Sequence, residues 1–221
     1  MKTVIVTGGS RGIGFATAKL LSEAGFNVVI CSTNESEVKK AAEKINSNVL
    51  GVVCDVSKPS QVKKLFDFAL REFGSVDFVV NNAGVGKSKA LADTSNEEID
   101  SMLDVNVKGM LYCCREAEKL IKKGAIVNVS SFYGENAGAN ASVYAASKFG
   151  VIGLSKSLAA EFYPKIKVFV VCPGSIDTRM LRENFGGRSG APPEKIGEII
   201  LKLITEFEKT DSGTIIQAWK R

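Results

Sequence analysis

Short apolar runs rich in β-branched residues alternate with segments of helical periodicity along the whole chain. The apolar runs are continuous, as in strands that are buried on both faces of a sheet. They predict seven strands, at 3–7, 27–31, 49–54, 76–80, 125–130, 167–172 and 213–217. The segments between them predict six helices, at 12–24, 35–46, 58–73, 96–122, 142–163 and 193–208. This alternation is typical of the α/β class, so we expect one domain over residues 1–221, with a doubly wound, mainly parallel, seven-stranded sheet and helices on both faces.

One stretch, at 179–192, does not follow the alternation. Its glycines and prolines lie close together in the sequence, at Gly186, Gly187, Gly190, Pro192 and Pro193. Such a cluster is typical of a loop. We therefore expect a loop-like insertion between the sixth strand and the last helix.

Composition narrows the classes of function. The chain has 221 residues, 45% of them hydrophobic, which suits one domain with a sizeable core. Its 29 Lys and Arg against 24 Asp and Glu give a net charge of +5, with no basic run longer than two residues, so nucleic-acid binding is not indicated. The sequence contains no histidine, which excludes histidine metal sites and histidine-based catalytic triads.

Cysteine usage and the absence of long apolar runs indicate where the protein works. The five cysteines lie in or beside apolar segments, at Cys31, Cys54, Cys113, Cys114 and Cys172. An odd number in such positions predicts buried, reduced thiols rather than disulfides or a metal site. The first strand begins at residue 3, which leaves no room for a signal peptide, and no apolar run reaches the roughly 18 residues of a membrane span. We expect a cytoplasmic protein with no membrane partner.

A tyrosine and a lysine four residues apart, Tyr144 and Lys148, are the first candidate for chemistry. At this spacing both side chains lie on one face of a helix. A nearby positive charge favours the phenolate, which would bring the pKa of the phenol down towards neutral pH. Ser131, at the end of an apolar run, and Asn106 are the other candidates. Each also has a plainer interpretation: Ser131 as a strand-end turn, Asn106 as a polar residue that bends its helix, and the Tyr–Lys spacing as chance.

A glycine-rich segment follows the first strand directly and opens a helix. Its glycines, Gly8, Gly12 and Gly14, have the spacing G-x-x-x-G-x-G, which differs from the common G-x-G-x-x-G dinucleotide motif. Glycines in this context let the backbone approach a pyrophosphate, which the helix N-terminus then binds. The alternative is an ordinary glycine-rich turn, but its place between strand and helix favours nucleotide binding.

Taken together, these segments resemble the short-chain dehydrogenase/reductase family, and most of all its 3-oxoacyl-carrier-protein reductase type. The resemblance covers essentially the whole chain and rests on Thr7–Gly14, Asn81-Asn82-Ala83-Gly84, Asn106, Ser131, Tyr144-x-x-x-Lys148 and Pro173-Gly174. It implies a Rossmann domain and hydride transfer between a nicotinamide cofactor and a small carbonyl or alcohol compound. Tyr144 would exchange the proton, Lys148 would lower its pKa, Ser131 would hold the substrate oxygen, and Asn106 would hold a water linking Lys148 to solvent.

The resemblance also implies a set of cofactor-binding residues. Tyr144 and Lys148 would contact the cofactor besides acting in catalysis. The other implied contacts are Gly8, Ser10, Arg11, Gly12, Ile13 and Gly14 at the phosphates, Asp55 and Val56 at the adenine, Asn81, Ala83 and Gly84 at the adenosine ribose, and Pro173, Gly174, Ile176 and Thr178 at the nicotinamide. Asp55 has a nearly equal alternative as an ordinary strand-end turn residue.

The preference between the two nicotinamide cofactors follows from charge. An acid at the end of the second strand would bind the ribose 2′-OH and repel a 2′-phosphate. That strand ends in small polar residues, Ser32 and Thr33, and Arg11 lies in the glycine loop. Glu35 is the one contrary residue. We expect NADP(H) to be favoured over NAD(H); the alternatives are an NAD-linked secondary-alcohol or sugar dehydrogenase and a non-catalytic nucleotide-binding regulator.

Two departures from the family affect substrate and assembly. The chain stops soon after its last strand, and the segment 179–192 is short for a substrate lid. We expect a mobile lid that closes only partly over varied apolar carbonyl compounds. The helices at 96–122 and 142–163 are apolar on more than one face, and in relatives they pair between subunits. A homodimer or homotetramer is therefore expected.

Overall fold

The seven predicted strands form one fully parallel sheet, in the order β3-β2-β1-β4-β5-β6-β7. The computed structural model describes residues 1–187 and 189–220; Arg188, in the predicted insertion, and Arg221, at the end of the predicted domain, lie outside the described residues. The strands are β1 Thr3–Thr7, β2 Asn27–Ser32, β3 Val49–Val53, β4 Phe78–Asn81, β5 Gly124–Val129, β6 Ile166–Cys172 and β7 Ile215–Gln217. This arrangement confirms the predicted fold class.

Helices cover both faces of the sheet. They are α1 Gly12–Glu23, α2 Glu35–Ile45, α3 Pro59–Phe73, α4 Asn96–Leu103, α5 Met110–Leu120, α6 Ser142–Glu161, α7 Arg179–Asn184 and α8 Pro193–Thr205. Side chains alternate along a strand, so Val4 and Val6 of β1 pack with α1, α2 and α8, whereas Ile5 packs with α3, α5 and α6. Because both faces are covered, the strands need apolar residues at every position, which is why the runs in the sequence are continuous.

The long helix predicted over 96–122 is three pieces in the structure. Between α4 and α5, residues Asp104–Gly109 form a wider π-helical turn. Asn106 lies in this turn, and its side chain bonds to the backbone of Val85 on a neighbouring loop. At Gly109 a Cβ atom would lie 2.8 Å from a Val56 side-chain carbon, so the turn also passes close to the end of the β3 region. Turns of this kind are frequent at functional sites.

The predicted insertion at 179–192 contains a short helix, α7, and is therefore more regular than the expected loop. Thr178 caps α7 by accepting a hydrogen bond from the backbone N–H of Leu181. Backbone hydrogen bonds tie the two ends of the segment together: Asp177 N–H donates to Ala191 O, and Ala191 N–H donates to Ser175 O, both at 2.9 Å. The cluster of glycines and prolines hid this helix because it is only six residues long.

The five cysteines are buried and unpaired, in line with the expectation of core thiols. Burial raises the pKa of the Cys113 thiol well above its ordinary value and that of Cys114 to about 12. Both are therefore protonated at neutral pH. Within the part of the chain that the structure describes, no helix combines the length and the apolar character of a membrane span.

Candidate active site

A cleft of about 1290 Å³ lies at the carboxyl ends of the strands. β1 separates β2 from β4 in the sheet, so the connections that leave its two sides diverge at this point, where ligands bind in open α/β sheets. Most of the predicted site residues line the cleft: Gly8, Ser10, Arg11, Gly12, Ile13, Ser32, Thr33, Asp55, Val56, Ala83, Gly84, Ser131, Tyr144, Lys148, Pro173, Gly174, Ile176 and Thr178. Three do not, and each has a different place.

The glycine loop shapes one end of the cleft through its backbone. Gly8 and Gly12 have φ angles of +65° and +55°, which side chains other than glycine adopt rarely. Gly14 lies behind the loop, where a Cβ would run into the carbonyl oxygen of Gly8. It lets α1 approach the loop closely, and it is not a lining residue.

The first turn of α1 offers free backbone N–H groups to this end of the cleft. Among the described residues, no side chain caps α1 at its N-terminus, and its first turn contains no acid. The first N–H groups of a helix have no acceptor within the helix itself, and they carry partial positive charge. Gly12 and Ile13 of this turn line the cleft. The cradle therefore fits a phosphate or pyrophosphate.

The Asn81 side chain does not line the cleft, and its predicted contact with the adenosine ribose stays a prediction. Its side chain is buried inside the sheet, where Nδ2 donates to Asn128 Oδ1 at 2.9 Å and to Cys114 Sγ at 3.4 Å. Asn82, the next residue, faces the cleft instead and donates to the carbonyl oxygens of Thr7 and Gly8. The reason is strand geometry, since successive side chains of a strand point to opposite sides.

Asn106 is fully buried and braces a loop backbone. Its Oδ1 accepts from Val85 N–H at 2.9 Å, while Nδ2 donates to Val85 O at 2.8 Å and to Ser147 Oγ at 2.9 Å. The same Oδ1 would lie 3.2 Å from a Cβ at Gly84, beside the cleft. Asn106 therefore holds the loop 84–85 next to Lys148. The predicted link through water to Lys148 stays a prediction.

Tyr144 and Ser131 meet at the wide end of the cleft. Only 7% of Tyr144 is exposed. This burial raises the pKa of its phenol to about 12, although a hydrogen bond with Ser131 pulls the pKa downwards. The sequence predicted a lowering by Lys148. The structure shows the opposite direction for the chain's own groups, because withdrawal from solvent dominates.

Lys148 is buried beside the tyrosine. Its Nζ donates to Val129 O at 3.0 Å and lies 5.8 Å from the centroid of the Tyr144 ring. Burial lowers the pKa of this ammonium group to about 8. Since the pKa stays above 7, the group carries its charge at neutral pH in most molecules. The phenol and the ammonium are thus neighbours, as their spacing on one helix predicts.

The opposite end of the cleft holds an acid that the sequence reading missed. Arg11 forms an ion pair with Glu37 at 3.1 Å, and Arg179 Nη1 lies 4.0 Å from the same carboxylate. Glu35, the predicted contrary residue, pairs with Lys39 at 2.7 Å and does not line the cleft. Asn34 accepts a hydrogen bond from Glu37 N–H and so caps α2, which places Glu37 in the first helical turn. A capping Asn three residues before an acid was the available signal.

Aromatic side chains line the part of the cleft around Tyr144. The Phe185 ring lies 5.1 Å from that of Tyr144 and is stacked on Tyr133 at 6.1 Å, with an interplanar angle of 27°. Phe132 and Trp219 line the same region. Phe185 comes from the end of α7 and Trp219 from the end of the chain, so only the fold brings them together.

Comparison with known proteins agrees with this site. Residues 2–188 match the short chain dehydrogenase family, so the chain belongs to that family and is an oxidoreductase. It is 44% identical over 236 residues to the 3-oxoacyl-[acyl-carrier-protein] reductase FabG of Chlamydia muridarum, covering 97% of this chain and 94% of that protein. It is 38% identical over 216 residues to carbonyl reductase family member 4 of Xenopus tropicalis, covering 92% and 91%.

A solved structure is similar over nearly its whole length. The 3-ketoacyl-(acyl-carrier-protein) reductase from Brucella melitensis, crystallised with NADH, superposes with a TM-score of 0.93 at 29% identity. The similarity covers 97% of this chain and 95% of that one. The predicted resemblance to the family and to its 3-oxoacyl-carrier-protein reductase type is thus confirmed.

Proposed function

We propose that this protein is an NADP(H)-dependent carbonyl reductase that converts a ketone, an aldehyde or a 3-oxoacyl compound into an alcohol, with Tyr144 as the proton donor. The observation that carries the proposal is the convergence of three side chains in one cleft. The Tyr144 phenol and the Ser131 hydroxyl line the same cleft, where Ser131 acts to lower the pKa of the phenol, and the Lys148 ammonium lies 5.8 Å from the Tyr144 ring. A hydroxyl, a phenol and a cation are the groups that a reduction needs beside a carbonyl oxygen.

The cleft has room and donors for a dinucleotide. The glycine loop and the first turn of α1 would hold the phosphates, and the turn after β6, with Ile176 and Thr178, would hold the nicotinamide end. When bound, such a cofactor supplies the hydride that reduces the carbonyl carbon. Relatives that are similar over nearly the whole chain are named as reductases of 3-oxoacyl or carbonyl compounds, and the similar solved structure is a complex with NADH.

The chain's own residues account for the proton. Ser131 would donate a hydrogen bond to the substrate oxygen and hold it beside Tyr144. With a pKa raised to about 12, Tyr144 keeps its proton at neutral pH and is ready to give it to the developing alkoxide. The charged Lys148 would stabilise the phenolate that remains. In these protonation states the site is ready to donate a proton in the reduction of a carbonyl compound.

Two observations bear on which nicotinamide cofactor is preferred. Ser32 and Thr33 place no acid at the end of β2, and Arg11 lines the cleft, which favours a 2′-phosphate. Glu37 beside Arg11 favours the second candidate function, an NAD-linked secondary-alcohol or sugar dehydrogenase, because a carboxylate there would repel a 2′-phosphate. We favour NADPH because Glu37 lies beyond the strand end, on the first turn of α2, and its side chain is able to turn away.

A substrate screen tests the proposal. NADPH and NADH oxidation by the wild-type protein is measured with 3-oxoacyl thioesters, quinones, ketones and aldehydes. We expect turnover of at least one class, with higher kcat/KM for NADPH. A protein that binds NADPH but turns over no carbonyl compound would instead be the third alternative, a nucleotide-binding regulator.

A further inference from the structure

The end of the chain is fixed to the loop that follows the catalytic serine. The Glu135 carboxylate accepts two hydrogen bonds, one from Gln217 Nε2 at the end of β7, at 2.6 Å, and one from Trp219 Nε1 in the turn that follows, at 3.1 Å. The residues that bond are more than 80 positions apart in the sequence. Bonds to a charged acceptor are about twice as strong as those between neutral groups, so this contact fixes the orientation of the indole.

The two hydrogen bonds of Glu135 are part-buried. Burial raises the pKa of the nearby Cys172 thiol to about 12, and the negative charge of Glu135 adds to the effect. Trp219 also packs over the turn after β6, where its Cβ would lie 2.9 Å from a Cβ at Gly174. A side chain at that glycine would therefore displace the tryptophan.

A continuous path of aromatic rings joins Trp219 to the catalytic tyrosine. Trp219 contacts Phe132 edge-on at 5.3 Å and 89°, Phe132 contacts Tyr133 at 5.6 Å, and Tyr133 contacts Tyr144 at 6.0 Å. All four rings line the cleft. A substrate whose carbonyl oxygen lies between Ser131 and Tyr144 would therefore extend its tail along this path.

The chemistry of the indole indicates what the path recognises. An indole has a single hydrogen-bond donor, its N–H group, and Glu135 already accepts from it. The part of the ring that borders the cleft is therefore apolar and has no unsatisfied hydrogen-bonding group. Because Trp219 is three ring contacts away from Tyr144, a tail must extend beyond its first few carbons to reach it.

We propose that Trp219, held in place by Glu135, is a specificity-determining residue that forms the far wall of the substrate site and contacts the apolar tail of the carbonyl substrate. The substrate class is a 3-oxoacyl compound with a medium-length acyl chain. The inference rests on the proposed carbonyl reductase function for its substrate, but the contact itself is tested by binding.

The first experiment uses the tryptophan as its own reporter. Trp219 is the only tryptophan in the chain, so intrinsic indole fluorescence reports on this one position. The wild-type protein with NADP⁺ is titrated with the N-acetylcysteamine thioesters of 3-oxobutanoate and 3-oxodecanoate. We expect the longer thioester to shift or quench the emission at saturation and the shorter one to change it little. An emission that neither thioester changes, or that both change equally, would overturn the proposal.

The second experiment measures steady-state reduction of the same two thioesters by variants. Trp219→Ala should raise the ratio of the KM for the longer thioester to that for the shorter one by about tenfold, since a large apolar contact contributes on that order. Glu135→Gln weakens the hold on the indole and should give a smaller rise, together with a red-shifted Trp219 emission. Lys220→Ala is the matched control: its Nζ lies 4.8 Å from the indole centroid, but Lys220 does not line the cleft, so the ratio should stay within about twofold.

The outcomes distinguish a failure of the proposed contact between Trp219 and the substrate tail from a failure of the proposed reduction. If Trp219→Ala raises both KM values by the same factor, its role is structural and the inference is wrong. If the wild-type protein reduces neither thioester, the proposed reaction on 3-oxoacyl compounds fails, and the fluorescence titration then decides on its own whether Trp219 contacts an apolar tail.

Discussion

Tyr144 is the residue on which the proposed reaction depends, and its surroundings favour the protonated phenol. Tyr144→Phe keeps the ring and its contacts with Tyr133 and Phe185 but removes the proton. We expect kcat for reduction to fall by more than about tenfold, a rise in the barrier of over ~1.4 kcal/mol, with cofactor affinity almost unchanged. Steady-state rates and cofactor titrations measure both quantities.

The control for this variant is Tyr163→Phe, which removes an equivalent hydroxyl from a tyrosine that is 64% exposed and lies outside the cleft. It should leave kcat as it is. A Tyr144→Phe enzyme that retains more than about a tenth of the wild-type kcat would rule out this tyrosine as the proton donor.

The buried charge of Lys148 makes folding stability depend on pH in a defined window. Its pKa is lowered from 10.5 to about 8, so the folded protein loses this proton between pH 8 and 10.5 while the unfolded chain still binds it. The cost of burying the charge is fully present below pH 8 and is relieved as the pH rises through that window. The free energy of unfolding of the wild-type protein should therefore rise with pH relative to that of Lys148→Met.

Urea unfolding of both proteins at pH 7.5 and pH 10 measures this difference. From pH 7.5 to pH 10, we expect the free energy of unfolding of the wild type to rise by about 2 kcal/mol relative to that of Lys148→Met. A gap that is the same at both pH values would mean that Lys148 is not buried as a charged group.

We expect Arg11 and Glu37 to act in opposite directions on the preference between NADPH and NADH. Arg11→Ala should weaken NADPH by about tenfold or more and hardly affect NADH, because a hydrogen-bonded charge contact contributes about 1.5–3 kcal/mol. Glu37→Gln should act in the opposite direction, since it frees Arg11 and removes a carboxylate from the cleft. Both are measured as kcat/KM for the two cofactors.

Glu35→Gln is the matched control, because it removes the same charge two residues away on the same helix but outside the cleft. Equal kcat/KM for NADPH and NADH in the unmutated protein would contradict the preference itself. An unchanged preference in Glu37→Gln would show that this carboxylate does not act on the cofactor.

At the scale of elements, α7 and the residues around it are the segment we expect to move. None of the six residues of α7 is buried, and a helix this short is marginal on its own. Its described contacts with the rest of the site include the Phe185 ring on Tyr144 and Tyr133, the exposed pair of Arg179 and Glu37, and a hydrogen bond from Ser88 N–H to Asn184 O at 2.9 Å. Closing the segment over a ligand orders glycines, which lose the most backbone freedom.

Amide hydrogen exchange measures this motion. Without ligand, amides in 179–187 should exchange rapidly, and NADPH with substrate should slow them only in part. The central strands β1 and β4 provide the internal reference, since their amides lie in the middle of the sheet. Strong protection of 179–187 in the free protein, unchanged on binding, would mean that the segment is a fixed connection rather than a lid.

The sequence predicted best the strands, because the position of each strand depends on the apolar residues within it. All seven strands were placed to within about two residues, because burial on both faces requires an unbroken apolar run. The π-helical turn at Asp104–Gly109 was missed because its cause is a contact 21 positions away, between Asn106 and Val85. The helix α7 was missed because loop-forming residues surround it.

The same distinction holds for the site. The resemblance to the family predicted that Ser131, Tyr144 and Lys148 lie together, and all three line the cleft, while their catalytic roles stay predictions. Glu37 was missed although its capping residue Asn34 gave a signal, and Trp219 was not predictable because its place depends on a contact between residues 84 positions apart.

At the scale of the whole molecule, α5 and α6 present apolar side chains to the outside. Leu111 is 41% and Phe149 46% exposed, although both are large hydrophobic residues. Such residues mark protein interfaces when they are contiguous. We expect a homodimer or homotetramer that pairs these helices, with a mass that is a multiple of 23.6 kDa in light scattering.

Leu111→Lys should shift this assembly towards the monomer at micromolar concentration, since it places a charge in the expected interface. Leu91→Lys is the control: Leu91 is 60% exposed but lies on the short turn before α4. A wild-type protein that is monomeric at tens of micromolar would contradict the expected pairing.

The contact between Glu135 and the last turn also bears on how the protein is best produced. Trp219 borders the substrate cleft, so an affinity tag fused to the C-terminal end would begin within two residues of the active-site wall. Met1 is 77% exposed and precedes β1, whose amino end lies at the edge of the sheet opposite the cleft. A tag at the N-terminus lies on the side of the sheet opposite the cleft. Kinetic comparisons between variants are therefore best made with the tag at that end.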